Sequence, residues 1–214
     1  MAKILGSRFF NRPAPVVARE LIGKFLVRRI GRRETAAMIT ETEAYEGPND
    51  KASHASRGKT ARNAVMFGPP GYWYVYFTYG MHWMLNVVTG PKGYPAAVLI
   101  RGAIQTSIPF MTQLRHNLNC ENITGPARLT KFLKIDKRLN GKPAKPINQL
   151  TDSPPDKNGL WLEDRGVQIP KNHIRSGPRI GVAYAGAYWA RRKYRFFFIH
   201  YGAITVNAVF PRYL

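Results

Sequence analysis

The chain has 214 residues, enough for one domain with a full hydrophobic core, and its 44% apolar and 21% charged residues exclude a disordered protein. The single cysteine, Cys120, excludes an internal disulfide or a Cys-rich zinc centre and suits a reducing compartment. Lys and Arg number 33 against 12 Asp and Glu, a formal net charge of +21, so the surface should attract a polyanion; nucleic acid is the first reading, with a solubilising face or anionic lipid as the bland ones.

Residues 1–8 contain no apolar core of signal-peptide length, and a cytoplasmic protein is expected. Pro13 and Pro15 precede residues 16–22, and Gly23 follows, which predicts a short helix with proline at its start and glycine past its end. Residues 24–30 and 35–45 read as strands. In the second of these, alternation places Glu41, Glu43 and Tyr45 on one face and Thr40, Thr42 and Ala44 on the other. Gly47 to Asp50 form a turn, and a polar loop with His54, Arg57, Lys59 and Arg62 follows. The segment from Glu41 through Asp50 gathers Glu41, Glu43, Glu46 and Asp50, in a chain with no Asp or Glu over residues 51–120 or 165–214.

From Gly71, Tyr72, Tyr74, Tyr76 and Thr78 alternate with Trp73, Val75 and Phe77; after Tyr79-Gly80 a second alternating run covers 81–88. This predicts a hairpin with an aromatic tip, either covered by the fold or presented to a partner. Tyr74, Tyr76, Thr78, Tyr79, His82 and Asn86 interrupt the apolar run, which is also shorter than the roughly 20 residues of a membrane helix. Residues 96–101 predict a buried strand delivering Arg101 at its end. Thr124-Gly-Pro126 with Leu129, Phe132 and Leu133 predicts a capped amphipathic helix, residues 137–156 a surface connection, and 179–182 and 195–199 further strands. The expected fold is α+β: a single domain over 1–214 with a largely antiparallel, curved β-sheet, surrounding helices and a protruding aromatic hairpin.

Several chemistries find no support. Glu41 and Glu43, two apart on a strand, lie about 6.5–7 Å apart along it rather than flanking a scissile bond, so a paired-carboxylate hydrolase is disfavoured and a single catalytic carboxylate remains. His54, His82, His116, His173 and His200 show no ligand spacing, and there is no phosphate-binding glycine fingerprint; neither metal nor cofactor is expected. Glu43, Tyr45, His54 and the aromatic hairpin on a basic protein suit an extruded nucleobase, gripped between rings while a wedge fills the gap in the stack.

At these residues the sequence resembles the alkyladenine (3-methyladenine) DNA glycosylase family in its bacterial type. The resemblance is carried, in family order, by FFNRPAPVVARELIGKFLVRR (9–29), ETEAYEGPNDKASH (41–54), MFGPPGYWYVYFTYGMHWMLNVV (66–88), AAVLIRGA (96–103), TGPARLTKFLKI (124–135) and RIGVAYAG (179–186). It implies base excision from double-stranded DNA containing damaged purines such as 3-methyladenine, 7-methylguanine, hypoxanthine or ethenoadenine. Glu43 would activate the water that attacks the anomeric carbon, with Arg101 helping to hold it. Tyr45, His54, Tyr76, Asn86 and Leu99 would form the base pocket, Asn86 opposing the 2-amino group of guanine. Tyr79 would intercalate, and Met66, Arg57 and Arg62 are candidate DNA contacts.

No Schiff-base lysine is implied, so an abasic site without strand cleavage is the expected product, to be passed to abasic-site repair enzymes. A monomer in the cytoplasm, on the nucleoid, is expected. The family's usual Thr-Pro-Arg is here Thr60-Ala61-Arg62. Rival readings stand beside these roles. Glu41 serves an ion pair, Asn86 satisfies strand backbone, Met66 lies in the core, and Tyr74 is structural. The whole protein has two rivals, a non-catalytic RNA-binding module, ribosome-associated, in which Glu43 has no task, and a formyltransferase-like domain.

Overall fold

Proline and glycine punctuate the first long helix as the sequence suggests, and the rest of the chain builds outward from the strand it covers. The computed structural model describes residues 2–106, 122–146 and 158–198. Strand β1 (Lys3–Ile4) and the short helix α1 (Ser7–Phe10) lead into α2 (Ala14–Leu21), which has Pro13 at its N-cap and Gly23 at φ 85° just past its end. Ala14, Val17, Ala18 and Leu21 fall on one helical stripe and are buried against the sheet. Burial of such a stripe, at about 25 cal/mol per Å² of apolar surface, fixes the helix more firmly than its propensity does.

The strands that follow are β2 (Phe25–Ile30), β3 (Arg33–Tyr45), β4 (Trp73–Thr78), β5 (His82–Val88), β6 (Ala97–Thr106) and β7 (Asn122–Thr124). Helix α3 (Pro126–Phe132), strands β8 (Leu160–Asp164) and β9 (Ile174–Gly177), helix α4 (Ala187–Arg191) and strand β10 (Arg195–Phe198) complete the described residues. All pairings are antiparallel, in the order β1-β8-β2-β3-β6-β5-β4, with β10 joined to the C-terminal half of β3 and β9 beyond it. The sheet curls into a half-barrel, so the fold is the mixed α+β class expected.

A register shift in β3 decides where the chemistry points. Before it, Ala37 and Ile39 belong to the main core; after it, Thr42 and Ala44 face that side, and the Thr42 hydroxyl donates to the Ala18 carbonyl of α2 at 2.8 Å. The shift lies between Ile39 and Thr42, opposite Ala103 to Ile100 of β6. Two adjacent irregularities, either side of Glu41, exchange the faces of a strand whose side chains otherwise alternate. It leaves Glu43 and Tyr45 on the face opposite the main core. The β6 side chains exchange faces too: Val98 and Ile100 pack in the main core, and so does Ala103 beyond the shift. Gly102 permits the close approach, since a Cβ there would lie 3.3 Å from Glu41 Cβ, Thr40 Oγ1 and the Ile123 carbonyl.

Two strand expectations are corrected. Arg101 is not at the end of a strand: β6 continues to Thr106, because the residues beyond the bend pair with both β3 and β7. Residues 179–182 form a turn rather than a strand. The Arg179 guanidinium is drawn inward to Asp50, and the Ile180 N–H donates to Glu43 instead of a ladder carbonyl. His116, Cys120 and His200, and residues 147–156 of the expected surface connection, lie outside the described residues.

Candidate active site

Strand register collects one row of residues across the sheet. Arg195 of β10 stands opposite Glu43 of β3, Glu43 opposite Leu99 of β6, Leu99 opposite Asn86 of β5, and Asn86 opposite Tyr74 of β4. Directly opposed residues in antiparallel strands share a face, so positions far apart in sequence meet. Tyr45, Arg101 and Tyr76 lie on neighbouring rows of the same face.

Glu43 is fully buried. Its Oε2 accepts from the Tyr45 hydroxyl at 2.9 Å and its Oε1 from the Ile180 N–H at 2.7 Å, with Arg101 Nε 3.5 Å from Oε1. Desolvation raises the carboxyl pKa above the usual range, against the pull of the Arg101 cation and the two hydrogen bonds; Glu41 adds a smaller upward push. Glu41 instead serves cations: its Oε1 is 3.1 Å from Arg101 Nε and 2.8 Å from Arg195 Nε. Two carboxylates on one face thus have different environments: Glu41 is held between two guanidinium groups, and Glu43 is desolvated.

Aromatic rings form the wall beside this carboxylate. Burial, then the Glu43 charge, pushes the Tyr45 phenol well above its ordinary pKa, so it stays protonated and donates. His54 Nδ1 is 2.9 Å from the Tyr74 hydroxyl, and its ring meets that of Tyr76 edge-on at 4.6 Å. Tyr74, read as merely structural, therefore positions the imidazole and leaves Nε2 as the ring nitrogen free to meet a ligand. Packing against these rings, and then the Arg62 charge, lowers the His54 pKa, so the ring is neutral at pH 7. Tyr76 is pushed up to about 12 by burial and carries the Arg62 guanidinium over its face at 5.3 Å.

The space these groups enclose has two parts. An outer cleft of about 860 Å³ is lined by Tyr45, His54, Tyr76, Leu99 and Arg101, with Lys51, Arg57, Arg62 and Tyr79 toward its rim. An inner cavity of about 40 Å³ lies behind Tyr45, His54 and Tyr76, and Met66, Tyr74 and Asn86 help to line it. Met66 is buried among Ala55, Tyr74, Val88 and Ala97, so it meets the site only through this inner cavity. Asn86 Nδ2 donates to the Tyr74 carbonyl at 3.1 Å, while the residue still lines the cavity.

The hairpin carries its tyrosine into solvent. Tyr79 is 82% exposed and Met81 67%, and the Met81 N–H closes the turn on the Thr78 carbonyl at 3.2 Å. Both central residues have positive φ, 52° at Tyr79 and 65° at Gly80. Glycine or asparagine is the residue such a turn favours, so a bulky tyrosine there is strained and buries nothing. Nothing in folding explains it.

Sequence reasoning missed the segment that closes the far side. Arg179 and Asp50 form a buried ion pair, with Nη2 donating to Oδ1 at 2.8 Å; the same guanidinium lies 4.9 Å from the centre of the Tyr45 ring and donates to the Ala44 carbonyl. Ile180, Val182 and Tyr184 beyond it line the outer cleft. The available signal was scarcity: with so few acids, Asp50 beside the Glu41–Glu46 group needed a cation, and only the fold shows which. Among the described residues, no three His, Cys, Asp or Glu gather as a metal site, and no helix is long and apolar enough to cross a membrane.

Comparison with known proteins gives concordant findings. The family model described as methylpurine-DNA glycosylase matches residues 8–201. A protein of Methanocella arvoryzae named "Putative 3-methyladenine DNA glycosylase" is 45% identical over 197 residues, which cover 91% of this chain and 92% of the relative. Proteins with the same name from Streptomyces avermitilis and Anaeromyxobacter dehalogenans are 42% and 41% identical, covering 84% and 90% of this chain and 81% and 82% of their own.

Proposed function

The chain belongs to the methylpurine-DNA glycosylase family, hydrolases of N-glycosyl bonds, and on that premise we propose that Glu43 is the water-activating base of a monofunctional glycosylase acting on damaged purines in duplex DNA. The base turns out of the stack into the outer cleft and is held between Tyr45, His54 and Tyr76, while Tyr79 occupies the gap it leaves. The water oxygen bonds to the anomeric carbon, its proton goes to Glu43, and the electron pair of the breaking C–N bond leaves with the purine. For 3-methyladenine or 7-methylguanine that pair neutralises a positive charge already on the base. Hypoxanthine needs a proton as it leaves. The product is an abasic site in an unbroken strand, which an abasic-site processing enzyme must follow.

The observation that carries this reading is the environment of Glu43: a fully buried carboxylate with raised pKa, both oxygens hydrogen-bonded, beneath a cleft of nucleotide size. A buried negative charge costs several kcal/mol unless paired, and it stabilises a sugar cation strongly because little water screens it. Arg101 and Ile180 cover the carboxylate, so DNA binding must shift them for the water to enter. Arg101, shared between Glu41 and Glu43, has a second carboxylate to hold it as it moves.

The test is release of purines from duplexes containing hypoxanthine or 7-methylguanine, with alkali used to reveal abasic sites. Strand scission only after alkali is the expected result. Tight binding to DNA or RNA with no purine released from any duplex would replace the glycosylase with a non-catalytic binding module.

A further inference from the structure

Tyr184 lies in a one-turn helix at residues 183–185, anchored from below by Val182 and Ala185, which are buried against Ala52. Its own ring is 69% exposed, yet it lines both the outer cleft and the inner cavity. Tyr45, His54 and Tyr76 also line both spaces, and each is already held, by Glu43, Tyr74 and Arg62 respectively. Tyr184 differs in how it is held: its hydroxyl donates to the Ala52 carbonyl at 2.9 Å, reaching from the 180–185 segment to the loop that leads to His54. The side chain thus stands at the junction of the two spaces, tethered to the wall that Ala52, Val182 and Ala185 form beside the passage between them.

We propose that Tyr184 is a specificity-determining residue that sets the width of this passage and so the size of the substituent a flipped purine can carry into the inner cavity. The inference rests on the glycosylase reading and adds to it. The inner cavity, about 40 Å³, cannot take a purine, so the base lies in the outer cleft and only one edge enters. A methyl, amino or oxo group fits a space of a few water volumes; a third ring fused to the purine edge does not pass unless the Tyr184 side chain yields. Shape exclusion of this kind discriminates by about 10- to 200-fold per excess carbon.

The experiment compares kcat/KM for ethenoadenine, which carries a fused ring, and hypoxanthine, which is compact, in wild type, Tyr184→Phe and Tyr184→Ala. Both bases are neutral, so their demand for a leaving-group proton is similar and the ratio reports size. Tyr184→Ala is expected to raise the ethenoadenine-to-hypoxanthine ratio about 10-fold or more, and Tyr184→Phe, which keeps the ring and loses the tether, about 3-fold. Ethenoadenine release appearing in the alanine variant where wild type shows none supports the proposal equally. An unchanged or lower ratio, including a common fall in both rates, overturns it, as does release of neither base by any form while 7-methylguanine is still released. If wild type releases no purine at all, the glycosylase reading fails and this inference with it. Wild-type release with an unaltered ratio fails this inference alone.

Discussion

Asp50 and Arg179 stand 129 residues apart in the chain and form an ion pair with both side chains wholly shielded from solvent. Through it the turn after β3, which leads to His54, is tied to the segment that presents Ile180 and Tyr184. Arg179→Ala leaves the Asp50 carboxylate buried without its cation, which costs about 3–5 kcal/mol. For a chain of this size that is a fall in Tm of roughly 6–20 °C, read by calorimetry. A change under about 2 °C contradicts the role given to the pair.

Tyr79→Gly separates folding from function. The position has φ 52° and is 82% exposed, so glycine relieves strain and removes no burial. Relief of about 1–2 kcal/mol of left-handed strain outweighs or offsets about 0.4–1 kcal/mol of added unfolded-chain entropy, so stability should hold or rise slightly in denaturant unfolding, while single-turnover base release falls because the gap in the stack is unfilled. A stability loss with normal base release would make Tyr79 a folding residue after all.

The pH dependence follows from the direction of the Glu43 shift. A general base must be ionised, so release of 7-methylguanine rises with pH through the Glu43 pKa, and burial places that rise above the pH at which an ordinary glutamate titrates. The Tyr45 hydroxyl bonds the ionised form at 2.9 Å, so Tyr45→Phe moves the limb to higher pH. Movement to lower pH in that variant contradicts the assignment. Stability has the opposite slope: because the folded pKa is raised, the contribution of Glu43 is full below its unfolded pKa and is lost as pH rises through the folded one. Glu43→Gln therefore gains stability relative to wild type across that window.

How much of this could be seen in the residues alone depends on whether the cause was local. Helix α2 was legible because Pro13, Pro15 and Gly23 mark its ends, and the β4–β5 hairpin because alternation and Tyr79-Gly80 fix its tip. Glu41, Glu43 and Tyr45 share a face as alternation says, yet the register irregularity that spans Glu41 is invisible in one strand. It arises from β3, β6 and β7 closing together at Gly102, a tertiary cause. Residues 179–182 have the branched residues of a strand, and a buried arginine overrides that pattern. Tyr184 carries no local mark, since its place depends on Ala52, which is distant in sequence and meets it only in the fold.

Charge sets the salt dependence. A formal net charge of +21 with Lys51, Arg57 and Arg62 at the cleft rim should make duplex affinity fall about 10³-fold or more between 50 and 200 mM salt, if several phosphates are contacted. Arg57→Ala should weaken binding to damaged and undamaged duplex alike and reduce the slope of log K against log salt by about 1. An unaltered slope in a titration followed by fluorescence anisotropy removes Arg57 from the phosphate contacts.

Whether Glu43 activates the attacking water is decided by single-turnover release of 7-methylguanine from duplex DNA, compared between wild type and Glu43→Gln. The amide is nearly isosteric and cannot take a proton. The variant should remain folded, with Tm no lower than wild type at neutral pH, and bind damaged duplex, while its rate constant falls roughly 10²-fold or more. A variant that binds and releases the base within about threefold of the wild-type rate contradicts the account, because a loss of general-base catalysis is far larger than that.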